Sequence, residues 1–123
     1  MSIQKIIKFV FPAIIVLLLF NYFRNNSSST SNETLSQLIQ DGAFLVDVRT
    51  PEEFQSGSAA GAVNIPLNEI ESELDQFKDK SQIIVFCKSG NRSSSAKAIL
   101  EKNGIKNVNN GGTWQNVNDL IKK

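Results

Sequence analysis

"QIIVFCKSGNRSSSAKAILEKNG", residues 82–104, decides how the chain folds. Ile83 to Phe86 form a continuous apolar run of strand length, the kind that suits a strand covered on both faces. From Ser93 a helical pattern takes over, with Ala96, Ile99 and Leu100 facing inward and Gly104 as its stop. Between them lies Cys87-Lys88-Ser89-Gly90-Asn91-Arg92, a short polar loop that holds the only cysteine of the chain. Strand, tight loop and helix make the repeating unit of a parallel sheet.

The same alternation extends in both directions. Upstream, Asn32 is placed to cap a helix whose stripe is Leu35, Leu38 and Ile39, and Gly42 ends it. "AFLVDV" (43–48) reads as a second buried strand. Pro51 in "TPEEF" suits a first helical turn, and "GAVNIP" (61–66) is a short strand stopped by Pro66. In "LNEIESELDQF" (67–77), Asn68 and Glu71 have the spacing of a capping box, and Leu67, Ile70, Leu74 and Phe77 share a face. Downstream, "IKNVNN" (105–110) is a weaker strand. Thr113 then caps a last helix with Trp114, Val117, Leu120 and Ile121 inward. Asp75, Asp79 and the stretch Glu69–Glu73 form a solvated face. A mainly parallel sheet with helices on its faces is the expected architecture.

The chain has 123 residues, room for one domain of ordinary size. Its first quarter reads differently. "MSIQKIIKFVFPAIIVLLLFNYF" is basic at the front and almost wholly apolar from Phe9 to Phe20, and "RNNSSSTSN" is polar and of low complexity. Residues 1–24 are therefore expected to be a signal-anchor or a cleaved signal peptide, 25–32 a linker, and 33–123 the domain. As a helix, Ile6 to Phe23 would span about 27 Å, near the roughly 30 Å of a bilayer core. Pro12 and Lys8 weaken that fit. A cleavable signal needs a small-residue site, for which only Ser27 and Ser29 offer themselves. With Lys5 and Lys8 before the apolar run and only Arg24 after it, the domain is expected outside the cytoplasm, anchored to the membrane through residues 6–23 or secreted.

Composition removes several chemistries. Net charge is +1, but without Lys5, Lys8 and Arg24 ten basic residues face twelve acidic ones. No nucleic-acid footprint is expected from that balance. There is no histidine, so no Ser-His-Asp triad, Cys-His pair or histidine-ligated metal. A single cysteine excludes an internal disulfide and a thiolate metal cage.

Cys87 falls at the carboxyl end of a strand, where such folds bind ligands. If the loop curls, amides from Lys88 through Ser93 converge on one point, and convergent N–H groups at a helix N-terminus bind anions. The anion is either the Cys87 thiolate or a substrate beside it. Such surroundings lower a cysteine pKa, so no histidine base is needed. Lys88 and Arg92 add positive charge that could steer an anionic substrate. Asp47 and Arg49 are read as structural, Asp47 accepting backbone N–H bonds and Arg49 pairing with Glu52 or Glu53.

"CKSGNRSS" resembles the active-site loop of the rhodanese family of sulfurtransferases, and "LVDVRTPEEF", "GAVNIP" and "NGGTW" are similar to that family's other signatures, in the same order. The resemblance spans about residues 33–123. It implies a rhodanese-like three-layer α/β/α fold with a central parallel sheet, here preceded by one hydrophobic N-terminal helix. It implies transfer of a sulfane sulfur through a persulfide on Cys87, cradled by Lys88, Ser89, Gly90, Asn91, Arg92 and Ser93. The donor would be a small sulfur-containing anion such as thiosulfate. The acceptor would be a thiol, a protein thiol included, or a cyanide-like nucleophile. No cofactor is expected. The family's usual G-H-I-x-G turn is here Gly57-Ser58-Ala59-Ala60-Gly61, so a looser turn is expected. Two other functions compete: a sulfur- or redox-handling module that docks to a partner without turnover, and a cysteine phosphatase. The phosphatase loop is C-x5-R, wider than the C-x4-R of Cys87 and Arg92.

Overall fold

The computed structural model describes residues 30–123. In chain order the elements are α1 (Asn32–Gln40), β1 (Phe44–Asp47), α2 (Pro51–Gln55), β2 (Val63–Asn64), a 3₁₀ segment (Leu67–Gln76), β3 (Ile83–Cys87), α3 (Asn91–Lys102), β4 (Val108–Thr113) and α4 (Trp114–Ile121). The four strands form one parallel sheet in the order β2-β1-β3-β4. The strands' carboxyl ends therefore all open on the same edge, and the loop after the central β3 sits there.

The apolar run of β3 is buried throughout because it faces two cores in alternation. Ile83, Val85 and Cys87 join Val46, Ile70, Phe77, Ala96 and Leu100 on the face covered by α3 and the 3₁₀ segment. Ile84 and Phe86 join Leu35, Val117 and Leu120 on the face covered by α1 and α4. Side chains two apart share a face of a strand, so one pentapeptide supplies both layers. Each fully buried side chain of this size contributes about 1.5–3 kcal/mol of transfer free energy.

At β4 the register shifts. Val85 pairs with Asn110 and Phe86 with Gly112, leaving Gly111 as the extra residue of a bulge. A Cβ on Gly111 would lie 2.8 Å from Val117 Cγ2 and 2.9 Å from Ile84 Cγ2, so the bare backbone is what lets α4 close on the sheet. The main-chain N–H of Thr30 donates to the Asn110 carbonyl at 3.1 Å.

Helix starts differ from expectation at α1 and at the 3₁₀ segment. Ser31, not Asn32, caps α1, its hydroxyl accepting the Thr34 N–H, so the helix begins inside the expected linker. Asn68 and Glu71 make no capping box: the residue before the 3₁₀ segment is Pro66, with no side-chain cap, and the segment kinks at Glu73. The capping box is at α2, where Thr50 and Glu53 satisfy each other's backbone N–H groups. Glu69, Glu71, Asp75 and Asp79 are exposed, as the solvated face requires. The expected hydrophobic leader, residues 1–24, lies outside the described residues. Among the described residues no helix is long and apolar enough to cross a membrane.

Candidate active site

Cys87 ends β3 with its side chain fully buried. The loop that follows turns back on it through Gly90, whose φ of 95° is left-handed and favours glycine. A Cβ there would also approach Gly112 Cα at 3.6 Å. The Gly90 N–H donates to Cys87 Sγ at 3.0 Å, and the Ser93 hydroxyl stands 3.5 Å from the same sulfur. Burial alone pushes the Cys87 thiol up. The Ser93 hydroxyl and the backbone N–H groups of Ser93, Ser89 and Gly90 outweigh it and hold the thiol below its ordinary value. Of the loop amides expected to converge, that of Gly90 is bonded to the sulfur, with the Ser93 hydroxyl beside it.

The sequence-expected loop residues divide in two. Ser89, Gly90 and Ser93 act on the sulfur, while the side chains of Lys88 and Asn91 are exposed. Arg92, expected to add positive charge for an anionic substrate, is already paired. Its guanidinium makes a two-pronged pair with Glu53, Nη1 to Oε1 at 2.6 Å and Nη2 to Oε2 at 3.0 Å. Arg92 first, and Thr50 after it, hold the Glu53 carboxyl down at about 2 against an ordinary 4.5. The pair is two-thirds covered and ties the start of α3 to α2. A depressed carboxylate stabilises the fold fully above its unfolded pKa, so this contribution is complete above about pH 4.5 and fades as pH falls toward 2. Arg92 still favours the Cys87 thiolate by its charge, as its own raised pKa reflects after the larger effect of Glu53.

Asp47 and Arg49 are structural, but not with the expected partners. Arg49 pairs with Asp47 itself, Nη2 to Oδ2 at 2.7 Å, in a site where both side chains are almost wholly buried. Asp47 Oδ1 also accepts the Arg49 main-chain N–H at 2.9 Å, the backbone bond expected of it. Arg49 also donates to the Gly57 carbonyl and lies 5.1 Å from the Trp114 ring centroid. Trp114 packs half-buried on the α1/α4 core and lies beside Gly57. The turn expected to be loose is held by Ser58, whose hydroxyl donates to Asp47 Oδ2 at 2.7 Å. Two further residues were given no part at the sulfur loop by the sequence. Asn110 is buried and bonded to both Ser93 and Gly90. Glu53 carried a readable signal, the Thr50-x-x-Glu53 spacing, but its bond to Arg92 spans 39 positions. Beside the loop, a cavity of about 470 Å³ is lined by Val48, Thr50, Leu67, Glu71, Arg92 and Ile99 among others.

A parallel α/β domain that delivers one acidified cysteine into an amide-lined loop at its strand ends is built for nucleophilic sulfur chemistry. The family model of the rhodanese-like domain matches residues 31–114, and the chain belongs to the rhodanese family. Thiosulfate sulfurtransferase PspE of Escherichia coli is 36% identical over 74 residues, covering 58% of this chain and 71% of that one. A mitochondrial relative from Schizosaccharomyces pombe is 35% identical over 92 residues, 63% of this chain and 65% of its own length. Among solved structures, the human single-domain sulfurtransferase TSTD1 superposes with a TM-score of 0.63 at 31% identity, over 77% of this chain and 96% of that one. The fold is rhodanese-like, with its central four-stranded parallel sheet, and the relatives named as sulfurtransferases support sulfur transfer as its general chemistry.

Proposed function

We propose that the chain moves a sulfane sulfur from a small anionic donor, thiosulfate being the simplest, to a thiophilic acceptor through a persulfide on Cys87. The observation that carries this reading is the Gly90 N–H on Cys87 Sγ at 3.0 Å, beside the Ser93 hydroxyl. A sulfur so placed is nucleophilic without a base. In the first half-reaction the Cys87 thiolate attacks the outer sulfur of thiosulfate. A new S–S bond forms, the donor's S–S bond breaks, and sulfite leaves with the bonding pair. In the second, cyanide or a thiolate attacks the outer persulfide sulfur, and Cys87 leaves as the thiolate. With cyanide the product is thiocyanate, and no external oxidant or reductant enters the cycle. The loop Lys88–Ser93 is the proposed cradle for the outer sulfur, in the way backbone N–H groups hold an oxyanion. Intact mass spectrometry after thiosulfate treatment should show a gain of one sulfur atom that cyanide removes. A mass unchanged by thiosulfate would leave the reading without its intermediate.

The same reading assigns Glu53 a part in donor choice. Its carboxylate occupies the Arg92 fork, so an anionic donor approaching Arg92 meets a neutralised cation. Glu53→Gln keeps the shape and removes the charge. The KM for thiosulfate should fall about threefold or more while kcat changes little, as expected for an interaction that acts on binding. An unchanged KM would put this pair outside the donor's path.

A further inference from the structure

Asn110 reaches the sulfur loop from the neighbouring strand β4 and is only 6% exposed. Its Oδ1 accepts the Ser93 hydroxyl at 2.7 Å and the Gly112 N–H at 3.0 Å. Its Nδ2 donates to the Gly90 carbonyl at 3.2 Å. Gly112 can only donate here and Gly90 only accept, which fixes the way round the amide sits. Ser93 has a single hydroxyl hydrogen and three acceptors within reach: Asn110 Oδ1 at 2.7 Å, the Gly90 carbonyl at 3.0 Å and Cys87 Sγ at 3.5 Å.

We propose that Asn110 is a positioning residue that competes with Cys87 for the Ser93 hydroxyl hydrogen, and so sets how readily the loop accepts a charged sulfur. While the sulfur is neutral, the hydrogen stays on the shorter bond to Asn110, and the thiol can donate to Ser93 Oγ. When the sulfur is charged, it draws the hydrogen, because bonds to ionised acceptors are the stronger ones. Nothing buried is then left unpaired. Asn110 Oδ1 keeps the Gly112 N–H, and the Gly90 carbonyl keeps the Ser94 N–H at 3.0 Å. The exchange requires one hydroxyl rotation and no movement of backbone.

The charged groups around Cys87 are Arg92 from α3, with Glu53 from α2 on its fork, the Asp47–Arg49 pair at the carboxyl end of β1, and Lys88 within the loop. Strand β4 contributes no titratable side chain. An uncharged substitution at 110 therefore acts on the sulfur through Ser93 and the loop and leaves those charges in place.

The test is a pH titration of the full chain, followed by the ultraviolet absorbance of the thiolate. It needs no sulfur donor. The inference rests on Cys87 being the reactive thiol, so its failure and the failure of the sulfurtransferase reading are separate results. Asn110→Ala removes the competing acceptor, and the midpoint should fall by about half a pH unit or more. Asn110→Asp keeps the acceptor and adds charge, and the midpoint should rise by about one unit or more. In a Ser93→Ala background the Asn110→Ala shift should vanish. A residue that only braced the loop would instead raise the midpoint in either background. A rise or no change in Asn110→Ala, or the same shift without Ser93, overturns the proposal. Should Asn110→Ala not fold, the Asn110→Asp shift must be larger with Ser93 present than with alanine there; equal shifts overturn it.

Discussion

Cys87→Ser should fold like the parent and transfer no sulfur, a loss of about a thousandfold or more. The fold survives because the hydroxyl occupies the same buried end of β3, accepts the Gly90 N–H as the sulfur does, and leaves the α3-side core intact. The chemistry is lost for two reasons. An alkoxide does not form near neutral pH, and oxygen does not hold a transferable sulfane sulfur. Iodoacetamide gives the complementary measurement on the parent. Alkylation should follow thiolate fraction with a midpoint below the value of about 8.5 usual for an unperturbed cysteine. The direction follows from the hydroxyl and amide contacts that outweigh burial at this sulfur. A serine variant that still transfers sulfur, or a parent midpoint at or above the ordinary value, would remove Cys87 from its proposed role.

Much of this site was legible because it is local. Strand, cysteine, left-handed glycine and helix follow one another within residues 83–102, and each has its own residue signature. The two-faced burial of β3 was legible from an apolar run with no polar alternation. What escaped was non-local or compositionally disguised. Asn110 falls in the stretch read as a weaker strand, but nothing in "NVNNGG" signals that it is buried against the sulfur loop, beside a bulge at Gly111. The partner of Arg92 lies in α2 and the partner of Ser58 in β1, separations that no periodicity encodes. The edge strand β2 is only two residues long, shorter than "GAVNIP" suggested, and its Asn64 amide donates to the carbonyls of Asp47 and Arg49. The capping box read at Asn68 and Glu71 does not form; the one that forms was not read, at Thr50 and Glu53, with Pro51 at the first helical position.

The largest effect on stability is expected at Arg49. Asp47 is completely buried and its two oxygens accept from Arg49 Nε, Nη2 and main-chain N–H and from Ser58. Arg49→Ala removes the one cation that pairs with that carboxylate among the described residues, and a buried charge left without its partner costs about 3–5 kcal/mol. It also frees the Gly57 carbonyl and uncovers the face of Trp114. Arg49→Lys keeps the charge but cannot reach two Asp47 oxygens and Gly57 at once, so its loss should be smaller but still measurable. The pair Asp47→Asn with Arg49→Ala distinguishes a buried charge from lost packing. Removing the carboxylate's charge along with its partner should recover part of the loss seen in Arg49→Ala alone, a coupling that two independent sites would not show. Urea unfolding of Asp47→Asn, Arg49→Ala and the double variant reads this directly. If the double variant were less stable than Arg49→Ala by the full effect of Asp47→Asn alone, the two groups would not be acting as a pair, and the turn from Gly57 to Gly61 would owe its order to Ser58 and Trp114 instead.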